Sequence, residues 1–277
     1  MLLTLLTFAI TRLKQFQFFN KILHVEESSS LCSLPPEWHV KLSLEKKIRK
    51  ILFVGDVHGC HDELNELLEK AGVYESDDII VIFVGDVCNK GPKSIETVRL
   101  IRQLGSMAYS VRGNHEQAVL YRLKQFNQMA ELPKNYSWIT ELSPEERLFF
   151  ERLPFTISIP LLNVIVVHAG LVPGVKLLDQ KPRSMINMRN YVHEKLSGSK
   201  NIDDGLRWGS QWPGPQFVIF GHDARRLLQK YRHAIGLDTG CLYGLKLTGY
   251  MLNVDDENPL QNGKFISVDA HSAYARG

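Results

Sequence analysis

Asp56 and His58 stand two residues apart in Val54-Gly55-Asp56-Val57-His58-Gly59, directly after the apolar run Ile51-Leu52-Phe53. A carboxylate and an imidazole at that spacing can be aimed at one metal ion. The flanking glycines let the backbone turn tightly and leave room for a ligand. The pattern recurs in Phe83-Val84-Gly85-Asp86, Arg112-Gly113-Asn114-His115-Glu116, Val166-Val167-His168-Ala169-Gly170 and Ile219-Phe220-Gly221-His222. Each places a metal-ligand or titratable side chain, bracketed by glycine, at the end of an apolar run. An ordered series of this kind is hard to obtain from unrelated solvated turns.

Together, Asp56, His58, Asp86, Asn114, His168 and His222 offer nitrogen and oxygen donors of the type that Mn, Fe, Zn or Co accept. One carboxylate can bridge two ions. Two divalent metal ions about 3.5–4 Å apart would clamp an in-line displacement at phosphorus, and a water bridging them would become a nucleophile near neutral pH. Asn114 ligates without adding charge. His115, beside it, can give a proton to the leaving oxygen. The donor set points to a metal-dependent hydrolase and leaves the identity of the metals open.

The elements that must position these residues follow a strand, loop, helix rhythm. Asp62 to Ala71 has helical spacing and ends at Gly72. Ile79 to Val84 reads as a strand buried on both faces. After the loop Gly85 to Pro92, Ser94 is expected to cap a helix from Ile95 to Gln103. Met107 to Val111 reads as a strand and Glu116 to Met129 as a helix. Ligand-type residues at strand ends are the grammar of an α/β sheet whose site lies at the carboxyl edges. No GxGxxG opens a helix and no P-loop is present.

Residues 132–153 read as a helical insertion able to shape a substrate pocket, with Ser143 as cap and Pro144 in the first position. Tyr136 and Trp138 in it either stack on a base or pack. Phe155 to Ile159 alternates like a half-buried strand, with Leu161 to Val167 as its partner. Residues 174–212 are loop-rich. Phe217 to Phe220 reads as a strand, Ala234 to Leu237 leads to Asp238-Thr239-Gly240, and Tyr243 to Leu252 with Phe265 to Val268 reads as a closing antiparallel pair.

The bulk properties are ordinary for a soluble globular protein. With 277 residues, 44% hydrophobic and 23% charged, the chain suits one large domain or two small ones. A formal net charge of +3 is too mild to argue for nucleic-acid binding. Cys32, Cys60, Cys88 and Cys241 form no CxxC pair and read as reduced intracellular thiols. Met1 to Thr11 is apolar, but a membrane-spanning helix needs about 20 residues. The stretch also lacks a basic n-region and a small-residue cleavage site, so it is a poor secretory signal. Residues 1–46, with linker signals at Glu27 to Ser30 and Pro35-Pro36, read as an extension outside a folded domain of residues 47–270. The extension is either disordered, mis-started, or a mitochondrial or membrane-surface address. The expected location is cytoplasmic, and no obligate protein partner is evident.

GDVHG, GDVCNKG, RGNHE, VHAG and FGH, in that order from Val54 onward, resemble the calcineurin-like metallophosphoesterase superfamily, and within it the phosphoprotein-phosphatase branch. The resemblance implies a sandwich of two mixed β-sheets flanked by helices, a four-layer αββα arrangement. It also implies that Asp56 and His58 bind a first metal, that Asp86 bridges, that Asn114, His168 and His222 bind a second, and that His115 is the proton donor. The second motif departs from the protein serine/threonine phosphatases, which place Asp and Arg where Asn89 and Lys90 stand. Asn89 would hold His115 less strongly as an acid, and Lys90 replaces a bidentate phosphate fork with a point charge. The Asn-Lys-Gly-Pro form, with Gly221-His222-Asp223-Ala224-Arg225-Arg226 and Leu237-Asp238-Thr239-Gly240-Cys241, is similar to the ApaH-like phosphatases, relatives of symmetrical diadenosine tetraphosphatase. That implies hydrolysis of phosphoanhydrides in dinucleoside polyphosphates, RNA caps or inorganic polyphosphate. Phosphate clamps are then expected at Lys90, Arg112 and Arg225, with Arg207 and Arg226 as further candidates. Asp238 would support the metal site, and Asp223 would support it or cap a helix. The competing readings are a protein serine/threonine phosphatase, disfavoured by Asn89-Lys90, and an inactive binding module, disfavoured by the intact donor set.

Overall fold

The computed structural model describes residues 34–128 and 130–275. The expectations for the apolar stretch at Met1 to Thr11, for Cys32 and for the end of a helix at Met129 lie outside the described residues. In chain order the first half holds β1 (His39–Lys41), β2 (Lys50–Val54), α1 (His61–Lys70), β3 (Ile79–Phe83), α2 (Ser94–Gln103), β4 (Ala108–Ser110), α3 (Asn114–Asn127) and α4 (Pro144–Arg152). There follow β5 (Thr156–Ile159), β6 (Val164–Val167), α5 (Pro182–Asn187), β7 (Asn190–Val192), β8 (Ser197–Ser199), β9 (Leu206–Arg207) and α6 (Trp208–Gln211). The chain closes with β10 (Phe217–Phe220), β11 (Gln229–Tyr231), β12 (Ala234–Gly236), β13 (Lys246–Asn253), α7 (Pro259–Asn262) and β14 (Lys264–Asp269).

Two mixed sheets pack face to face. One runs β14-β13-β2-β3-β4, the other β1-β5-β6-β10-β12-β11. Strand alternation explains the layering. Ile51 and Phe53 of β2 face the second sheet, packing with Ile157, Val166 and Ile219, whereas Leu52 and Val54 face the helices, packing with Leu64, Leu67, Val98 and Val119. β3 is buried along its whole length because it is central and covered on both sides.

The outer face of the six-stranded sheet is covered by short helices and a small sheet. Residues 174–212, which read as loops, supply the short α5 and α6 and a third sheet in the order β8-β7-β9. Their strands have two or three residues, too few for periodicity to register. Met185, Met188 and Trp208 from this region pack on Ile165, Val218 and Phe220.

Part of the expected extension joins the second sheet. Residues 39–41 lie within the expected extension, yet β1 pairs in parallel with β5, His39 opposite Thr156. The Trp38 carbonyl accepts from the backbone of Phe155 and Thr156 (2.9 and 3.0 Å), and the Trp38 ring meets that of Phe155 at 5.7 Å. Leu42 and Ile48 are buried. Among the described residues, no helix is long and apolar enough to cross a membrane.

Candidate metal centre and active site

The five loops singled out above all leave the carboxyl ends of strands, and both sheets contribute. Asp56 and His58 follow β2, Asp86 follows β3, and Asn114 and His115 open α3 after β4. His168 follows β6 and His222 follows β10 of the other sheet. The turns that deliver them are strained. His58, Asp86, Asn89, Lys90 and His222 adopt φ of 51°, 50°, 73°, 71° and 72°, a region costing L-residues roughly 1–2 kcal/mol each.

Hydrogen bonds hold these conformations. Glu116, fully buried, accepts from the backbone of Asp86 and Gly113 (both 2.8 Å) through Oε2 and of Val87 (2.9 Å) through Oε1. The Asp56 carboxylate accepts from the backbone of His222 at 3.1 Å, tying the two sheets together across 166 residues. A side chain at Gly113 would collide with Asp86 Oδ1, and one at Gly221 with Asp56 Oδ1, so the close approach excludes any Cβ there. The sequence motif itself assigns Glu116 no role. Its position at N3 of α3, with a reach back to the cap residue, is the legible signal. Ser94 is the first residue of α2 rather than its cap, and its hydroxyl instead accepts from the backbone of Asn89 (2.9 Å).

The arrangement of lone pairs tests whether these residues suit metal ions. His168 donates Nδ1–H to the Val84 carbonyl (2.9 Å), which leaves a lone pair on Nε2. His222 donates Nε2–H to the Asn187 carbonyl (3.0 Å), which leaves a lone pair on Nδ1. Both lone pairs lie 3.0 Å from Asn114 Oδ1, itself an acceptor. Asp86 Oδ2 is 3.4 Å from His168 Nε2 and 3.6 Å from His58 Nε2, and Asp56 Oδ2 is 4.0 Å from His58 Nε2. Donor atoms bound to one ion at about 2.1 Å stand roughly 3–3.5 Å apart. In their neutral forms these imidazoles and Asn114 Oδ1 converge as acceptors at that spacing, which suits a cation between them. The residues fit a metal centre, with Asp86 between His58 on one side and His168 on the other.

The charges agree with that reading. Burial, then the Asp238 and Asp86 carboxylates, push Asp56 well above the usual carboxylate range. Burial lowers His58 to about 3, with His115 and Lys90 adding to the effect against Asp86. Burial, then His168, hold His222 well below its ordinary value. Burial also opposes ionisation of Asp86, but the neighbouring imidazoles, His168 foremost, outweigh it and keep the carboxyl well below its usual range. His58 and His222 are thereby held neutral, as a divalent ion requires of its imidazole ligands. Burial acts the same way on His168, but the Asp86 carboxylate outweighs it and raises His168, whose proton an arriving cation must displace.

A cavity of about 370 Å³ opens over this floor, lined by His58, Asp86, Asn114, His115, His222 and Asp238. Lys90, Arg189 and Arg225 add cationic walls. Arg189, which follows α5 in the loop-rich region, was missed because no local pattern marks it. Its Nη2 donates to the His222 carbonyl (3.3 Å), and its Nε faces Asp223 Oδ1 at 3.5 Å. Three other expected clamps lie elsewhere. Arg112 is fully buried and donates to the carbonyls of Phe150, Glu151 and Leu153 and to Gln117 Oε1, so it staples α4 to α3 and is closed to phosphate. Arg226 is held by Asp223, Asn190 and the Arg189 carbonyl. Arg207 is exposed beside Tyr231 and does not line the cavity.

His115 meets the Asn89 side chain at 2.9 Å through Nδ1. Burial lowers His115 to about 4, with Lys90 and His168 contributing against Asp86. Asp238 is pushed up to about 6 by burial, with Asp86 and Asp223 adding to it and its hydrogen bond from the Gly240 backbone opposing. The insertion at 132–153 does not line the cavity. Tyr136 packs in the helical core and backs the Asn89 loop, and Trp138 packs against Phe150, so neither offers a face to a base.

Residues 49–226 match the calcineurin-like phosphoesterase family. The chain belongs to that family. An asymmetrical bis(5'-nucleosyl)-tetraphosphatase of Oceanobacillus iheyensis is 33% identical over 224 residues, covering 73% of this phosphoesterase and 88% of the relative. A symmetrical bis(5'-nucleosyl)-tetraphosphatase of Aliivibrio fischeri is 28% identical over 273 residues, with 79% and 97% covered. A crystal structure named as a candidate diadenosine tetraphosphatase superposes with a TM-score of 0.72 at 34% identity, covering 84% of this chain and 98% of its own. A serine/threonine phosphatase of Saccharomyces cerevisiae, at 16% identity and a TM-score of 0.56 over 91% of this chain and 88% of its own, shares the fold alone. The family uses a dinuclear divalent metal centre, and this phosphoesterase is a metal-dependent phosphate hydrolase.

Proposed function

We propose that this phosphoesterase hydrolyses phosphoanhydride bonds of dinucleoside polyphosphates, RNA caps and inorganic polyphosphate being the other members of the substrate class. The observation that supports this is one cavity in which a floor of metal-type donors is walled by Lys90, Arg189 and Arg225. A phosphate monoester engages few cations, whereas a phosphate chain carries charge along its length and suits cations on several sides. The names of the relatives point to the same substrates.

In this reading Asp56 and His58 hold one divalent ion, Asn114, His168 and His222 hold a second, and Asp86 serves both. Mn, Fe, Zn and Co all suit these donors. When bound, such ions supply positive charge against the developing phosphoryl charge and make water acidic enough to attack at neutral pH. Lys90, Arg189 and Arg225 draw the polyanion in and orient it. His115 is neutral in the free protein, and the arriving phosphates add the negative charge that favours its protonated form. It then delivers a proton to the leaving oxygen. Asn89 orients its ring, Glu116 fixes the Asp86 turn, and Asp238 backs the floor.

The test is turnover of diadenosine tetraphosphate, capped RNA, long-chain polyphosphate and a phosphothreonine peptide by metal-reconstituted protein, with Asp86→Asn as control. Release of nucleotides that Asp86→Asn abolishes is the expected result. Turnover of the peptide alone would overturn it and make the protein a phosphoprotein phosphatase with an unusual second motif.

A further inference from the structure

Part of the cavity wall is apolar. Tyr243, Leu245 and Ala224 line it. Tyr243 is half-buried, and Leu245 is 47% exposed. Leu227, 41% exposed, joins Leu245 beyond the rim, since a Cβ at Gly240 would lie 3.1 Å from Leu245 Cδ1 and 3.7 Å from Leu227 Cδ2. Leu227 holds a φ of 55°, an uncommon conformation for leucine, so the chain keeps an apolar side chain outward at a backbone cost.

The shelf is rigid. Tyr243 N–H donates to the Gly240 carbonyl (2.9 Å), Gly244 N–H to Cys241 (3.0 Å) and Leu245 N–H to Gly240 (3.1 Å). Tyr243 also forms an antiparallel bridge with Ala273. An aromatic ring carried on a hydrogen-bonded turn beside exposed leucines, lining the same cavity as the cations, suits a ligand that joins a planar apolar group to a phosphate chain. A nucleoside polyphosphate has that form, and inorganic polyphosphate lacks the planar part.

We propose that Tyr243, with Leu245 and Leu227, is the platform for the nucleobase of the substrate, and that it gives this phosphoesterase its preference for nucleoside-bearing over inorganic polyphosphates. The proposal rests on the phosphoanhydride reading above. Stacking uses the face of the base, so adenine and guanine are both accommodated.

The experiment compares kcat/KM for diadenosine tetraphosphate and for inorganic tripolyphosphate in wild type, Tyr243→Ala, Tyr243→Phe and Leu245→Ser. The expected result is a roughly tenfold fall in the dinucleotide-to-tripolyphosphate selectivity of Tyr243→Ala, carried by KM. Leu245→Ser shows a smaller fall, and Tyr243→Phe restores the ratio. Equal losses on both substrates, or none, would overturn the proposal. Binding of adenosine, measured by saturation-transfer NMR on wild type and Tyr243→Ala, needs neither phosphate nor turnover. If wild type hydrolyses neither substrate, the phosphoanhydride reading fails, and adenosine binding that is lost in Tyr243→Ala still identifies the platform. Absence of adenosine binding to wild type, with selectivity unchanged, removes it.

Discussion

Asp86 touches both halves of the candidate centre. Its Oδ2 stands 3.6 Å from His58 and 3.4 Å from His168, while Oδ1 accepts from the backbone of His115 at 2.9 Å. An amide in its place keeps the size but removes the charge that two ions would share. Asp86→Asn should lower kcat by about a thousandfold or more and reduce bound metal, measured by plasma mass spectrometry on the purified protein. Two other cations separate recognition from architecture. Arg112→Ala leaves buried carbonyls without a donor and should cost about 3 kcal/mol in denaturant unfolding. Lys90→Ala removes an exposed charge, so it should leave the unfolding midpoint nearly unchanged while lowering kcat/KM about tenfold or more. The sequence placed both residues in one class because each lies in a glycine-bracketed motif. What divides them is long-range: the carbonyls of residues 150–153 reach Arg112, and nothing near residue 112 announces them. Tyr243 reads in the sequence as the start of a strand, but β13 begins at Lys246, and Tyr243 lines the cavity only once residues far apart in the chain have met.

At the scale of elements, local chemistry is strongest in α4. Ser143 Oγ accepts from the Glu146 backbone (3.2 Å), and Glu146 Oε2 accepts from the Ser143 backbone (2.8 Å), a reciprocal cap that the Ser-Pro-Glu-Glu pattern announces. Ser143→Ala should cost about 1 kcal/mol by thermal or denaturant unfolding. Glu146 also receives Arg99 Nε at 2.7 Å. Burial resists its ionisation, but Arg99 and the Ser143 backbone outweigh that and hold its pKa below the ordinary 4.5. A lowered carboxyl contributes stability above pH 4.5 and loses it as pH falls through the folded value. Wild type should therefore lose more stability than Arg99→Ala between about pH 6 and pH 3, read as the difference in urea midpoints. Helices with such caps and five-residue apolar strands were legible because their signals are local. β1 and the β7-β8-β9 sheet were not, because two or three residues carry no period and their pairing partners lie elsewhere in the chain.

At the scale of the molecule, two sheets meet over a set of crowded acceptors. Cations at that junction bind the folded state and not the unfolded chain, so they add to its stability. Prolonged dialysis against a chelator should lower the melting temperature by several degrees, and re-addition of Mn or Zn should restore it, followed by differential scanning calorimetry. Asp56→Asn should shrink that difference. The hydrogen bonds from His222 to Asp56 carry a temporal consequence. A ribosome delivers the chain from its amino end, so Asp56, His58, Asp86 and Asn114 emerge long before residue 222. Until then those groups lack the last of the candidate donors. If His222 completes the centre, metal is captured only after β10 of the second sheet has left the ribosome, so a loaded centre marks a late stage of synthesis.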